Sequence, residues 1–203
     1  HRPPIQVQRW SGVRETVELP AIAWQSPPPA AMPTPPGTPA PPPTSEDCLY
    51  LSISRPDGPL PPGGLPVLVW IPGGGYVSGS SVLDTDGAAL ARQGLVVVSP
   101  AYRLGAFGFL HLGGLLGPSF AGSGAAGLAD QLHALRWVHD NISAFGGDPR
   151  RVTVYGISAG AKSVANILSH NGSHGLVHRA ISASGGGEHV ATVDQAGQVT
   201  VGT

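Results

Sequence analysis

Gly156-Ile157-Ser158-Ala159-Gly160 places a serine between two glycines, directly after the run Val152-Thr153-Val154-Tyr155. A serine hydroxyl acts as a nucleophile on carbon when one group removes its proton and others stabilise the oxyanion that its attack creates. The spacing here serves access and oxyanion stabilisation. On a sharp turn from strand to helix, a serine projects from the sheet edge with strained backbone angles. Side chains two positions before and after it would collide with the turn, and Gly156 and Gly160 remove that collision. A helix opening at Ala159 aims its free N–H groups and the positive end of its dipole at the serine. This is the nucleophile-elbow pattern, and it predicts covalent catalysis by Ser158.

A second segment suits the same chemistry. Val67-Leu68-Val69-Trp70-Ile71 runs through Pro72 into Gly73-Gly74-Gly75-Tyr76. A buried strand entering three glycines exposes backbone N–H groups at the sheet's C-terminal edge, where α/β sites form. Without side chains, those donors can approach a substrate oxygen closely, and each is worth about 10²–10³ in rate. A plain glycine turn is one alternative. A dinucleotide-binding loop is another, since Gly73, Gly75 and Gly79 loosely match that fingerprint. It lacks its acidic residue, because the following strand ends at Ser99-Pro100.

Strands and helices must position both segments. Leu49–Ser54, Leu65–Ile71, Leu95–Ser99 and Arg151–Tyr155 are short apolar runs bounded by turn residues and read as strands. Leu95–Ser99 is apolar on both faces, as a parallel strand covered on two sides would be. Val177–Ala183 reads as a last strand interrupted by His178 and Arg179. Leu128, Leu132, Leu135, Val138 and Ile142 form a helical stripe over 127–145 that stops at Gly146-Gly147. Ala159–Leu168 is a further helix. Strand–helix alternation of this kind predicts an α/β sheet with helices on its faces.

Composition narrows the function class. The 203 residues include 30 Gly and 22 Pro with only 11% charged residues, yet 41% are hydrophobic, enough for a real core. A net charge of −1 without any basic run argues against nucleic acid as a partner. No apolar stretch reaches the roughly 18–20 residues of a membrane span. Ten of the seventeen residues from Pro27 to Pro43 are proline, and the tract reads as an extended, polyproline-like surface loop. Its Pro-x-x-Pro spacings also suit a ligand of aromatic-grooved domains.

Taken together these segments resemble the type-B carboxylesterase family of carboxylesterases, cholinesterases and bacterial para-nitrobenzyl-type esterases. The similarity runs through Trp10-Ser11-Gly12-Val13-Arg14, Ser45-Glu46-Asp47-Cys48-Leu49-Tyr50-Leu51, Tyr102-Arg103-Leu104-Gly105-Ala106-Phe107-Gly108-Phe109 and Gly127-Leu128-Ala129-Asp130-Gln131. It is most specific from Phe145-Gly146-Gly147-Asp148-Pro149 to Gly160. The resemblance implies an α/β-hydrolase fold, of which residues 1–203 would be the N-terminal half of the sheet, including the elbow. It implies a serine esterase that works without metal or cofactor on a small-molecule ester. Ser158 would form the acyl-enzyme, and Gly74, Gly75 and Ala159 would supply the oxyanion-hole N–H groups.

The sequence also departs from the family pattern. Pro72 stands where His or another polar or aromatic residue is usual, and Ile157 replaces the acidic residue before the serine. Ala101 and Ala125 occupy positions where Asn is common. The proline tract lies where many secreted relatives carry the disulfide partner of Cys48, which is the chain's single cysteine. That pattern favours a reducing compartment or bacterial cytoplasm over secretion. The family's triad acid and histidine follow the serine at long range. Here the residues after Ser158 offer the acids Glu188 and Asp194 and the histidines His170, His174, His178 and His189. Adjacent Glu188 and His189 would point to opposite faces of an extended segment, and neither matches a family position. The expectation is therefore a piece of a longer hydrolase domain, nearly inert alone. The rival readings are a non-catalytic, protein-binding relative and a truncated remnant without function.

The remaining polar motifs have simpler readings. His170, His174 and His178 are spaced by four, but Asn171-Gly172 and Gly175 interrupt a helix that could align them on a metal. His133 and His139 fall on different faces of the 127–145 helix. Asn141-Ile142-Ser143 and Asn171-Gly172-Ser173 are formal glycosylation sequons.

Overall fold

A computed structural model describes residues 1–8, 10–26, 42–83, 86–187 and 190–201. Most of the proline tract, residues 27–41, lies outside them, as do Glu188 and His189. The segments flanking the tract run side by side. Strand β1 (Ile22–Ala23) pairs in parallel with β2 (Thr44–Ser45), and Ile22 N–H donates to the Pro43 carbonyl at 2.9 Å.

The main sheet contains β3 (Leu51–Ser54), β4 (Leu65–Ile71), β5 (Val96–Pro100), β6 (Gly147–Ile157) and β7 (Arg179–Ala183), in the order β3-β5-β4-β6-β7. β4 pairs in parallel with β5 and β6, and β6 with β7, while β3 runs antiparallel to β5. Apolar runs reveal which strands are buried but not their direction, so the sequence does not disclose this reversed edge strand.

Two helices cover one face of the sheet: α4 (Ala126–Asn141) and α5 (Ala159–Ser169). Alternate residues Val67, Val69, Ile71, Val152 and Val154 form one core with Leu132, Leu135 and Val138 of α4 and Val164 and Ile167 of α5. The strand period of two and the helical stripe thus meet as the pattern requires. On the other face, Trp70 and Tyr155 stack edge to face at 4.7 Å, and α1 (Gly87–Ala91) packs on β3 and β5. The expected helix over 127–145 divides in two. α4 ends at Asn141 and a 3₁₀ turn, Ile142–Phe145, closes on left-handed Gly146 at φ 81°. β6 starts earlier than expected because Gly147 pairs with Leu65 ahead of a register shift.

Three more short helices fall outside the expected elements: α2 (Gly105–Phe109), α3 (Gly113–Leu116) and α6 (Val193–Val201). Glycine opens both α2 and α3, and a helix of four or five residues is too short to show a stripe. α6 is tied back to the body of the molecule where the Thr200 hydroxyl donates to the His111 carbonyl at 2.7 Å. Among the described residues, no helix is long and apolar enough to cross a membrane.

Candidate active site

β6 ends at Ile157 and α5 begins at Ala159, so Ser158 alone makes the turn between them. Its backbone sits at φ 56° and ψ −118°, in a region that non-glycine residues occupy at a cost of about 1–3 kcal/mol. The backbone is held on both sides. Ser158 N–H donates to the Ala183 carbonyl of β7 at 2.9 Å, and the Ser158 carbonyl accepts from Lys162 N–H at 3.1 Å. Both flanking glycines are packed against main chain. A Cβ at Gly156 would overlap the Gly160 carbonyl, and one at Gly160 would overlap the Ile71 carbonyl. The serine is exposed while Ala159 and Gly160 beside it are buried.

The glycine run after β4 lies directly against this turn. A Cβ on Gly73 would fall 2.8 Å from the Ile157 carbonyl oxygen and 3.3 Å from Ser158 Cβ, so no side chain fits between the two segments. Gly74 and Gly75 follow at φ 103° and φ 64°. The Gly74 carbonyl accepts from Val77 N–H at 3.1 Å and from Ser78 N–H at 3.0 Å, which closes the loop on itself. The N–H groups of Gly74 and Gly75 make no hydrogen bond among the described residues. Ala159 N–H opens α5 and belongs to the first turn, which has no intrahelical acceptor.

The three non-glycine residues with positive φ among those described are Tyr76, Ser158 and Ser184. They follow β4, β6 and β7, so the backbone strain of the described chain gathers at one end of the sheet. The Tyr76 hydroxyl, which accepts from Ser163 Oγ at 3.3 Å, has its pKa raised by burial. Gln25 holds the far end of the glycine loop in both directions. Its Nε2 donates to the Gly79 carbonyl at 3.0 Å and its Oε1 accepts from Gly79 N–H at 3.0 Å. Gln25, Ser163 and Tyr102, whose hydroxyl donates to the Pro72 carbonyl at 2.9 Å, escape sequence reasoning. Each acts across a long separation and none carries a local signal. Tyr102 lay within a family-like segment but without a role.

The other candidate groups lie elsewhere. His170 accepts from Gly172 N–H at 2.9 Å and caps a 3₁₀ turn. His139 is exposed beside Asp140 at 2.9 Å, His133 is half-buried, and Asp194 is exposed in the first turn of α6. No group of three or more His, Cys, Asp or Glu that could hold a metal occurs among the described residues. Cys48 is buried, with its thiol pushed up to about 11 chiefly by burial and then by the charge of Asp130. Ile157 is 39% exposed next to the serine.

A parallel-centred sheet with a strained serine between strand and helix, backed by a glycine loop, is the arrangement of an α/β-hydrolase. The Geobacillus stearothermophilus carboxylesterase superposes on the chain with a TM-score of 0.85 at 39% identity, covering 98% of this chain and 39% of that one. The profile of the Carboxylesterase family matches residues 1–202, and the chain belongs to that family. It is 50% identical over 143 residues to the para-nitrobenzyl esterase of Bacillus subtilis, covering 70% of this chain and 28% of that protein. It is 53% identical over 144 residues to cholinesterase 1 of Branchiostoma lanceolatum, covering 70% of this chain and 38% of that protein. The chain therefore spans well under half the length of these relatives. Family and fold together support ester hydrolysis as the chemistry of this lineage.

Proposed function

We propose that this chain carries the nucleophile and oxyanion hole of a serine carboxylic-ester hydrolase. Ser158 Oγ attacks the ester carbonyl carbon and passes its proton to a general base. The oxyanion is held by the N–H groups of Gly74, Gly75 and Ala159. Collapse expels the alcohol, which takes up that proton, and leaves an acyl group on Ser158. Water then attacks the acyl carbon, releasing the carboxylic acid and returning the proton to Ser158. The observation that supports this reading most directly is the exposed, positive-φ Ser158 packed against Gly73, followed by two loop N–H groups that make no hydrogen bond among the described residues.

No histidine hydrogen-bonds Ser158 among the described residues. In this reading the base and its orienting acid come from outside those residues, and without them the serine reacts slowly. Triad knockouts elsewhere retain about 10³–10⁴-fold over water from the oxyanion hole and binding alone. The partner is a small-molecule ester, and the half-exposed Ile157 favours an apolar group beside the serine. A fluorophosphonate probe with peptide mapping tests the proposal. Slow modification at Ser158, lost in Ser158→Ala, supports it. Modification elsewhere overturns the nucleophile assignment, and rapid labelling of the isolated chain overturns the missing base.

A further inference from the structure

The glycine loop needs a fixed frame, because glycines impose no conformation of their own and the donors of an oxyanion hole act only when held in place. The segment that follows β5 supplies two fastenings. The hydroxyl of Tyr102, a residue only 3% exposed, donates to the Pro72 carbonyl at 2.9 Å. Gly105 N–H donates to the Tyr76 carbonyl at 2.7 Å. These bonds bracket Gly73, Gly74 and Gly75. The Pro72 carbonyl belongs to the peptide whose nitrogen is Gly73, so holding that oxygen fixes the plane from which the loop departs.

The clamp is itself anchored. Asp130 of α4 accepts from Arg103 N–H at 3.1 Å, Nε at 2.8 Å and Nη2 at 2.6 Å, and its side chain is 1% exposed. Glycines keep the two elements this close. A Cβ at Gly127 would fall 2.7 Å from the Arg103 carbonyl oxygen, and one at Gly108 would overlap it. The chain of contacts runs from α4 through Arg103 to Tyr102 and Gly105, and from them to both ends of the loop.

The geometry points to Tyr102 as a positioning residue for the Gly74 and Gly75 donors, acting through the Pro72 carbonyl. This rests on the oxyanion-hole reading given above. Tyr102→Phe removes the hydroxyl and keeps the ring. Its first test is amide hydrogen exchange, which requires no catalysis. Exchange of the Val77, Ser78 and Gly105 amides is expected to quicken about five- to ten-fold, the effect of one lost hydrogen bond, while β4 and β6 keep their protection. Unchanged exchange at those three amides overturns the clamp, and faster exchange throughout β4 and β6 reduces Tyr102 to a general stabilising residue and overturns it as well.

The second test is the fluorophosphonate reaction at Ser158. The maximal rate of modification is expected to fall about ten-fold, with half-saturation moving less than about two-fold. An unchanged rate overturns the positioning role even if exchange quickens. A wild-type chain that is not labelled at Ser158 overturns the nucleophile reading alone, and the exchange measurement then still decides the clamp.

Discussion

The middle of the sheet and its last strand meet very different surroundings. All five residues of β5 are buried, while four of the five in β7 are exposed. Ile71 at the end of β4 is 0% exposed and Ile181 in β7 is 51% exposed. Both regions nevertheless touch the elbow. The Ile71 carbonyl fills the space where a Gly160 side chain would sit, and the Ala183 carbonyl of β7 holds Ser158 N–H. The β4 side of the elbow is fixed by close packing, and the β7 side by backbone hydrogen bonds, the cover of α5 and Gly185, where a Cβ would fall 2.6 Å from the Ser158 carbonyl oxygen. Strained residues persist only where their surroundings over-determine them.

The sharpest way to break this comparison is at Gly160. Gly160→Val drives a branched side chain into the Ile71 carbonyl. It is expected to cost more than about 4 kcal/mol in chemical denaturation, through overpacking that no rotamer relieves. A cost below about 1 kcal/mol would show that the elbow yields. Next come the paired truncations. Ile71→Ala is expected to cost about 2–5 kcal/mol and Ile181→Ala less than about 1 kcal/mol, both read from urea midpoints. Equal losses would remove the distinction between the two regions.

Smaller effects probe the far end of β6 and the buried thiol. The Asp148 carboxylate accepts from Arg150 N–H at 2.9 Å and Arg151 Nε at 2.9 Å, and the backbone donor first, then the guanidinium groups, lower its pKa. Its contribution is present above the ordinary carboxylate range and is lost as pH falls through the depressed folded value. The wild-type melting temperature should therefore fall more steeply than that of Asp148→Asn on acidification below about pH 4. Parallel curves would remove Asp148 from the acid response. For Cys48 the sign is opposite. The thiol is raised from 9.0 to about 11, so its contribution is whole below 9.0 and is lost as pH rises through about 11. Iodoacetamide at pH 8 should leave the native thiol unmodified over minutes and label the urea-unfolded chain, as mass spectrometry would show.

Much of the site was legible because its demands are local. The Gly-x-Ser-x-Gly turn needs its glycines for steric reasons that five residues express, and the structure puts a positive-φ serine there. The strand at 65–71 has the expected bounds, and those at 96–100 and 51–54 lie within two residues of them, because apolar runs bounded by turn residues mark buried strands. The short helices α2 and α3 were not legible, since glycine-rich segments of four or five residues form helices only under tertiary contact. The antiparallel β3 and the pairing of β1 with β2 across the proline tract were equally hidden.

By itself, then, the sequence determined the chemistry on offer: a serine on a tight turn, a glycine run after a buried strand, and the α/β alternation that carries both. Those features follow from steric exclusion and hydrophobic period within a few residues. The tertiary structure alone decided that Gly73 lies against Ser158, that Tyr102 reaches Pro72, and that Gln25 holds Gly79. These contacts join segments far apart in the chain, and their distances are set by strand order and by how α4 and α5 settle on the sheet. No local pattern encodes such closeness, because it results from the packing of the whole core.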